Sequence, residues 1–288
     1  MHEGLKSMLA AYSCRSAQDY QNALKEIVQE IALLGLWRAK FFEHAAFYGG
    51  SALRILHELD RFSEDLDFSL LRPDGAFELK AFLSAIEAEL KGFGFRMTVE
   101  PREKAVQGSI QSAFIKANTR ANMLVIEAPR GITTSMHREQ VLKVKLEIDV
   151  DPPGGFETEA RLRMLPIPFS VKSYSLPDLF AGKLHAVLCR GWKGHVKGRD
   201  WYDFVWFVAR AIPVRLSHLK IRLIQNGAWK SSDMLTAPAL TDLLKERIEK
   251  TDFASARIDV LPFIRDPASI DLWSGSFMND VAGRMKMV

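Results

Sequence analysis

The sequence predicts an α+β protein, with a mixed sheet flanked by helices over residues 1–170 and a mainly helical lobe over 171–288. Three observations carry this. Residues 141–150 alternate strictly, Val144, Leu146, Ile148 and Val150 against Lys145, Glu147 and Asp149, as in a half-buried strand. Residues 65–70 repeat that alternation with Leu66 and Phe68 as the apolar set. From Leu176 onward the apolar residues recur instead at helical spacing.

The elements follow in order. Ser16 caps a helix to residue 37, with Ala23, Ile27, Ile31 and Leu34 on one side. Residues 41–48 lead into a small-residue turn at Gly49-Gly50, and residues 51–59 read as a short amphipathic helix carrying Leu53, Leu56 and Leu59. After the strand at 65–70, residues 77–91 form a helix ended by Gly92 and Gly94. Residues 95–99, 112–116, 123–127 and 141–150 read as strands by alternation and β-branching. The run Asp151-Pro152-Pro153-Gly154-Gly155 breaks the chain, and a boundary between lobes is placed within or after residues 164–173. Ser175 and Pro177 open a helix to Cys189, a basic loop follows, and residues 200–210 form a second helix. Two or three more helices fill 214–270, and the stretch after Phe277 reads as a mobile tail.

Composition excludes several classes. The chain of 288 residues is 48% hydrophobic and 26% charged, which suits a soluble globular protein with a substantial core. Two cysteines make no disulfide framework and fit a reducing compartment, so the expected location is the cytoplasm. No long apolar run suggests a membrane span, and the first residues lack a signal-peptide pattern. The net charge of +4 is too small to name a partner. A GK[ST]-ended phosphate loop, a Gly-x-Ser-x-Gly elbow and a helical zinc pair of histidines are all missing from the sequence.

Asp65 and Asp67 lie two apart on a strand and therefore share a face. Two adjacent carboxylates repel, so folding alone gives little reason to pair them. Mg²⁺, held by one or two carboxylates and substrate phosphates, gives one. Backbone amides of Gly49-Gly50-Ser51 and the Ser51 hydroxyl offer a triphosphate cradle beside the pair. A third carboxylate comes from the regular strand, Asp149 in preference to Glu147. Lys183 and Arg190 are seven apart and Asp200 and Asp203 three apart, each pair on one helix face. The alternative for these charges is an ordinary salt-bridged helix pair, and for Asp-x-Asp a solvated strand face.

These strings together resemble a known family. Gly49-Gly50-Ser51-Ala52-Leu53 with Arg61-Phe62-Ser63-Glu64-Asp65-Leu66-Asp67-Phe68 is similar to the first motif of AbiEii/AbiGii-type nucleotidyltransferase toxins, within the DNA polymerase beta-like nucleotidyltransferase superfamily. Lys145-Leu146-Glu147-Ile148-Asp149 resembles the second acidic strand, and Lys183-Leu184-His185-Ala186 with Arg199-Asp200-Trp201-Tyr202-Asp203 a later motif of helix lysine and paired aspartate. The resemblance implies a nucleotidyltransferase-like sheet followed by a helical lobe. It implies a toxin of a two-gene toxin–antitoxin or phage-defence system that transfers a nucleoside monophosphate from a triphosphate, CTP or UTP, to the 3′ end of tRNA and so stops translation. Gly50, Ser51 and Ser63 then serve the nucleotide, Asp65, Asp67 and Asp149 the Mg²⁺ or Mn²⁺, and Lys183 and Asp200 the nucleotide again. Asp203, in preference to Asp200, completes the catalytic set. An RNA backbone is expected along Arg190, Lys193, Lys197 and Arg199, with an antitoxin protein as partner and no membrane. A protein or small-molecule acceptor, or a non-catalytic binding module of the same fold, is the competing reading.

Overall fold

The computed structural model describes residues 2–102, 108–191 and 196–288. The chain divides into two compact units, one of residues 1–57, 63–152 and 159–173, the other of residues 58–62, 153–158 and 174–288.

The first unit opens with α1 (Glu3–Ala10) and α2 (Ala17–Arg38). Ser16 accepts from the Asp19 amide while Asp19 reaches back, a capping box that fixes where α2 starts. A single 3₁₀ turn, Phe41–Glu43, precedes β1 (Ala45–Tyr48). Then come α3 (Gly49–His57), β2 (Asp65–Leu70), α4 (Lys80–Gly92), β3 (Thr98–Arg102) and β4 (Ile110–Asn118). The unit continues through α5 (Thr119–Val125), α6 (Arg130–Ser135), β5 (Val141–Asp149), β6 (Thr158–Arg163) and β7 (Phe169–Tyr174).

Among the described residues the strands make a seven-stranded mixed sheet in the order β3-β4-β5-β2-β1-β7-β6. β2 is antiparallel to β1 and parallel to β5, so it lies in the middle with both neighbours paired. One face of β2 and β5 buries Leu66, Phe68, Leu146 and Ile148. Phe41 packs on Phe68 with ring centroids 5.0 Å apart and on Phe82 at 5.2 Å. Each such buried ring contributes about 1.5–3 kcal/mol.

The α+β class holds, with local differences. Residues 123–127, expected as a strand, belong to or follow α5. Asn118 accepts from the Ala121 amide and starts a helix just upstream, and the β-branched Val125 and Ile126 fall at its end. The boundary region instead carries β6 and β7, whose alternation is diluted by charged residues. Gly49 and Gly50 are the first turn of α3, with Gly49 at φ +81°.

The second unit is mainly helical: α7 (Leu176–Cys189), α8 (Gly198–Ala209), α9 (Leu216–Gln225), α10 (Ala237–Glu249), α11 (Phe253–Val260) and α12 (Gly275–Gly283). Gly198 lets α8 meet α11, since a Cβ there would collide with the Ala256 carbonyl oxygen. Phe180 stacks on Phe207 at 4.4 Å in its core. The expected mobile tail is ordered: Ser274 caps α12, and Met287 bridges to Val214 in a short parallel pair.

His218 on α9 is buried and neutral. Its Nδ1–H donates to the Gly154 carbonyl at 3.1 Å, and Nε2 accepts from Arg222 at 2.8 Å. Burial, with Arg222 adding to it, lowers its pKa to about 4. The unfolded chain therefore binds the extra proton between about pH 6.5 and 4, and stability falls as pH falls through that window. Urea unfolding should lose up to about 3 kcal/mol from this group across the window. His218→Leu should flatten the slope, and an unchanged slope would show that His218 does not carry it.

Candidate active site

In the first unit the site is built around one close approach. Gly49 follows β1 directly, and Tyr48 is in register with Asp67 on β2. A Cβ on Gly49 would lie 2.5 Å from Asp67 Oδ2, so only glycine lets the start of α3 sit against that carboxylate. Ser51 is fully buried and its hydroxyl donates to the Asp65 carbonyl, which ties the first turn of α3 to β2. That hydroxyl is thus engaged within the fold. The backbone N–H groups at a helix start have no intrahelical acceptor and favour an anion. Ser63 accepts at its carbonyl from Gln29, 3.1 Å away.

The register shows which side chains share a face. Asp65 pairs with Lys145, Asp67 with Glu147, and Ser69 with Asp149. The carboxylates of Asp65 and Asp67 therefore project together, half-buried, with Glu147 as the acidic neighbour of Asp67. Glu147 is held by Lys145 at 2.7 Å and Ser112 at 3.2 Å. Asp149, the expected third carboxylate, stands beside Ser69 and accepts the Asp151 amide at 3.1 Å, because it ends the strand just before the Asp-Pro-Pro break. Among the described residues no three His, Cys, Asp or Glu side chains gather as a metal cage. A carboxylate pair fits Mg²⁺ that completes its shell with phosphates and water.

The second unit holds the remaining motif. Lys183 Nζ on α7 meets Asp203 Oδ2 on α8 at 2.7 Å. The sequence reading missed the third member, Arg61. Its Nε and Nη2 both donate to the Asp203 carboxylate at 2.7 Å, and its Nη1 donates to the Phe62 carbonyl at 2.9 Å. Arg61 and Asp203 are both buried, and one aspartate serves two cations. Burial pushes the Asp203 pKa up, but Arg61 and Lys183 outweigh it, and the net shift is downward. Asp200, next along the same helix, goes the other way. Its burial raises the pKa against the pull of Lys183 and Arg190.

The expected basic loop is mostly engaged internally. Arg190 is the C-cap of α7 and pairs with Asp200 at 2.6 Å, so it does not share a helix face with Lys183. Lys197 lies 3.9 Å from Asp259, and Arg199 sits 4.1 Å from the Phe263 ring centroid and 4.0 Å from Asp259. Lys193 and Trp192 lie outside the described residues. Trp201 is buried against Phe253, and Tyr202 donates to Asp60 at 2.8 Å.

A seven-stranded mixed sheet together with a mainly helical unit is a nucleotidyltransferase-like fold. The chain matches the family described as nucleotidyl transferase AbiEii toxin, type IV toxin–antitoxin system, over residues 31–274, and it belongs to that family. The fold is similar to that of MenT4, the nucleotidyltransferase toxin Rv2826c of Mycobacterium tuberculosis H37Rv, at 15% identity and a TM-score of 0.57, covering 99% of this chain and 89% of that one. It is also similar to JHP933 of Helicobacter pylori, at 15% identity and a TM-score of 0.50, covering 91% and 90%. A comparison with curated proteins gives no match. No described helix is long and apolar enough to cross a membrane.

Removing one partner of a buried ion pair costs about 3–5 kcal/mol. Because Lys183 still pairs with Asp203, Arg61→Met should cost about 3 kcal/mol, with Arg61→Lys milder. Thermal melts of the two variants test this, and an unchanged Tm for Arg61→Met would contradict the shared-aspartate account.

Proposed function

We propose that the protein is the toxin of a two-gene system and transfers a nucleoside monophosphate from a nucleoside triphosphate to the 3′ end of tRNA, with Mg²⁺ bound to Asp65 and Asp67. The observation that carries this reading is the Gly49–Asp67 approach, which sets a helix start beside two carboxylates on one strand face. The family provides the reaction class, and the residues suit it. Amides at the start of α3 bind phosphate oxygens, and Lys183 offsets phosphate charge as a compact ammonium. Asp203 and Arg61 hold that ammonium in one place. Bound Mg²⁺ would supply the charge neutralisation that the phosphates and the leaving pyrophosphate need.

In the reaction the acceptor 3′-hydroxyl oxygen forms a bond to the α-phosphorus, and the bond from that phosphorus to the β-phosphate oxygen breaks. Pyrophosphate leaves. Such a transfer asks the protein for positioning and electrostatics more than for a covalent intermediate. CTP and UTP are the expected donors, and a translation block is the expected consequence in the cytoplasm. The antitoxin partner answers to the type IV assignment of the family.

The test incubates purified protein with each α-labelled triphosphate, Mg²⁺ and total RNA. Label should appear on tRNA, and it should vanish with chelator or with Asp67→Asn. Lys183→Ala should lower kcat/KM about a hundredfold or more. Label on protein or on a small molecule would move the acceptor, and full transfer by Asp67→Asn would remove the metal-site reading.

A further inference from the structure

A groove of about 620 Å³ opens in the first unit where the C-terminal end of α2 meets β7 and the edge strand β6. Its apolar lining is Trp37, Phe42 and Ala160. Trp37 leans on Phe169, with ring centroids 6.4 Å apart, yet remains 39% exposed. Three cations, Arg38, Lys40 and Lys172, stand around this floor with Glu43 as the acid among the lining residues. Arg38 reaches Glu89 at 3.4 Å and Lys40 reaches Glu43 at 3.9 Å, long surface pairs that a ligand phosphate displaces at little cost. Among the described residues Lys172 has no ion-pair partner.

The register orients Lys172. Ser173 pairs with Phe47, and Phe47 with Phe68, so these three share the buried face. Lys172, one residue earlier, therefore points to the opposite face, the one that carries Asp65 and Asp67. β7 lies two strands from β2, about 10 Å across the sheet. Lys172 thus stands on the carboxylate face, whereas Phe169, against which Trp37 leans, shares the alternation of Ser173 and lies on the buried face, so the groove takes its lining from both sides of β7.

An exposed indole beside ammonium and guanidinium groups is the equipment for a base with its phosphate: the ring stacks, and the cations take the backbone charge. The volume suits one nucleotide. We infer that the groove takes one nucleotide of a single-stranded RNA segment, with the base on Trp37 and the phosphate among Lys172 and Lys40. The identity of the polymer rests on the RNA-acceptor reading proposed above. The internal pairing of Arg190, Lys197 and Arg199 agrees with an RNA contact lying elsewhere than the basic loop.

The test is fluorescence anisotropy of a short unstructured RNA with wild type, Trp37→Ala, Trp37→Phe, Lys172→Glu and, as a control on the opposite edge strand β3, Arg102→Glu, each checked by a melting curve. Trp37→Ala should weaken binding about tenfold, and Trp37→Phe should restore much of it. Lys172→Glu should weaken binding and lower the salt slope by about 1, and Arg102→Glu should do neither. If Trp37→Ala does not fold, the Lys172→Glu and Arg102→Glu pair decides. Loss in Lys172→Glu with full affinity in a folded Trp37→Ala would overturn the base-stacking site. Equal competition by free CMP or UMP would assign the groove to mononucleotides instead, and Trp37-dependent binding of polyglutamate would assign it to an acidic protein. Labelling of RNA is measured beside this. A wild type that labels RNA while the groove variants bind RNA unchanged removes the groove and leaves the transferase reading standing; a wild type that neither labels nor binds RNA removes both.

Discussion

The contact between Gly49 and the Asp67 carboxylate constrains the first unit more than any other. It requires a residue without a Cβ at φ +81°, and it lets α3 begin at the very end of β1. Everything next to it follows. Ser51 faces inward to the Asp65 carbonyl, and Arg54, one turn later, reaches Glu26 on α2 at 2.8 Å. Glu26 also accepts from Tyr12 at 2.7 Å. A short helix is thereby clamped at both ends, with its amide end against an acidic strand. That pairing of a positive dipole end with two carboxylates suits a ligand carrying both metal and phosphate, which answers each partner with the opposite charge.

The second unit applies a different device. A buried carboxylate normally needs one partner, and Asp203 has two. The trio of Arg61, Lys183 and Asp203 carries a net positive charge where a simple pair would be neutral. Arg61 satisfies most of the aspartate's lone pairs, so Lys183 is positioned by Asp203 without being fully neutralised by it. For the triphosphate role proposed for Lys183 this distinction matters, because a neutral pair would offer little attraction. Asp200 and Arg190 form a separate pair at the end of α7, where Arg247 also donates to the Val187 and Arg190 carbonyls and closes the helix.

Much of this was legible in the sequence where the signal is local. The Ser16 cap, the alternation of Asp65–Leu70 and of Val141–Asp149, and the Pro177 helix start all depend on neighbours within a few residues. The α5 helix was misread because Val125 and Ile126 carry β-propensity while the deciding cap lies at Asn118. β6 and β7 escaped because pairing stabilises them, and Arg161, Arg163 and Lys172 blur their period. The role of Arg61 was invisible for a stronger reason: its partner is 142 residues away. That Glu147 stands beside Asp67 and Asp149 beside Ser69 follows from the β2–β5 register, which no spacing within one strand supplies. The Trp37 groove likewise joins residues from three distant segments.

The central claim is that the Asp65 and Asp67 carboxylates and the start of α3 bind a metal–nucleotide unit together. Crystals grown with Mn²⁺ and a non-hydrolysable triphosphate, measured for anomalous scattering, test it most directly. The account predicts a peak between the Asp65 and Asp67 carboxylates, with nucleotide phosphate density at the amides of Gly50 and Ser51. An ordered nucleotide whose metal and phosphates lie away from both carboxylates would contradict it.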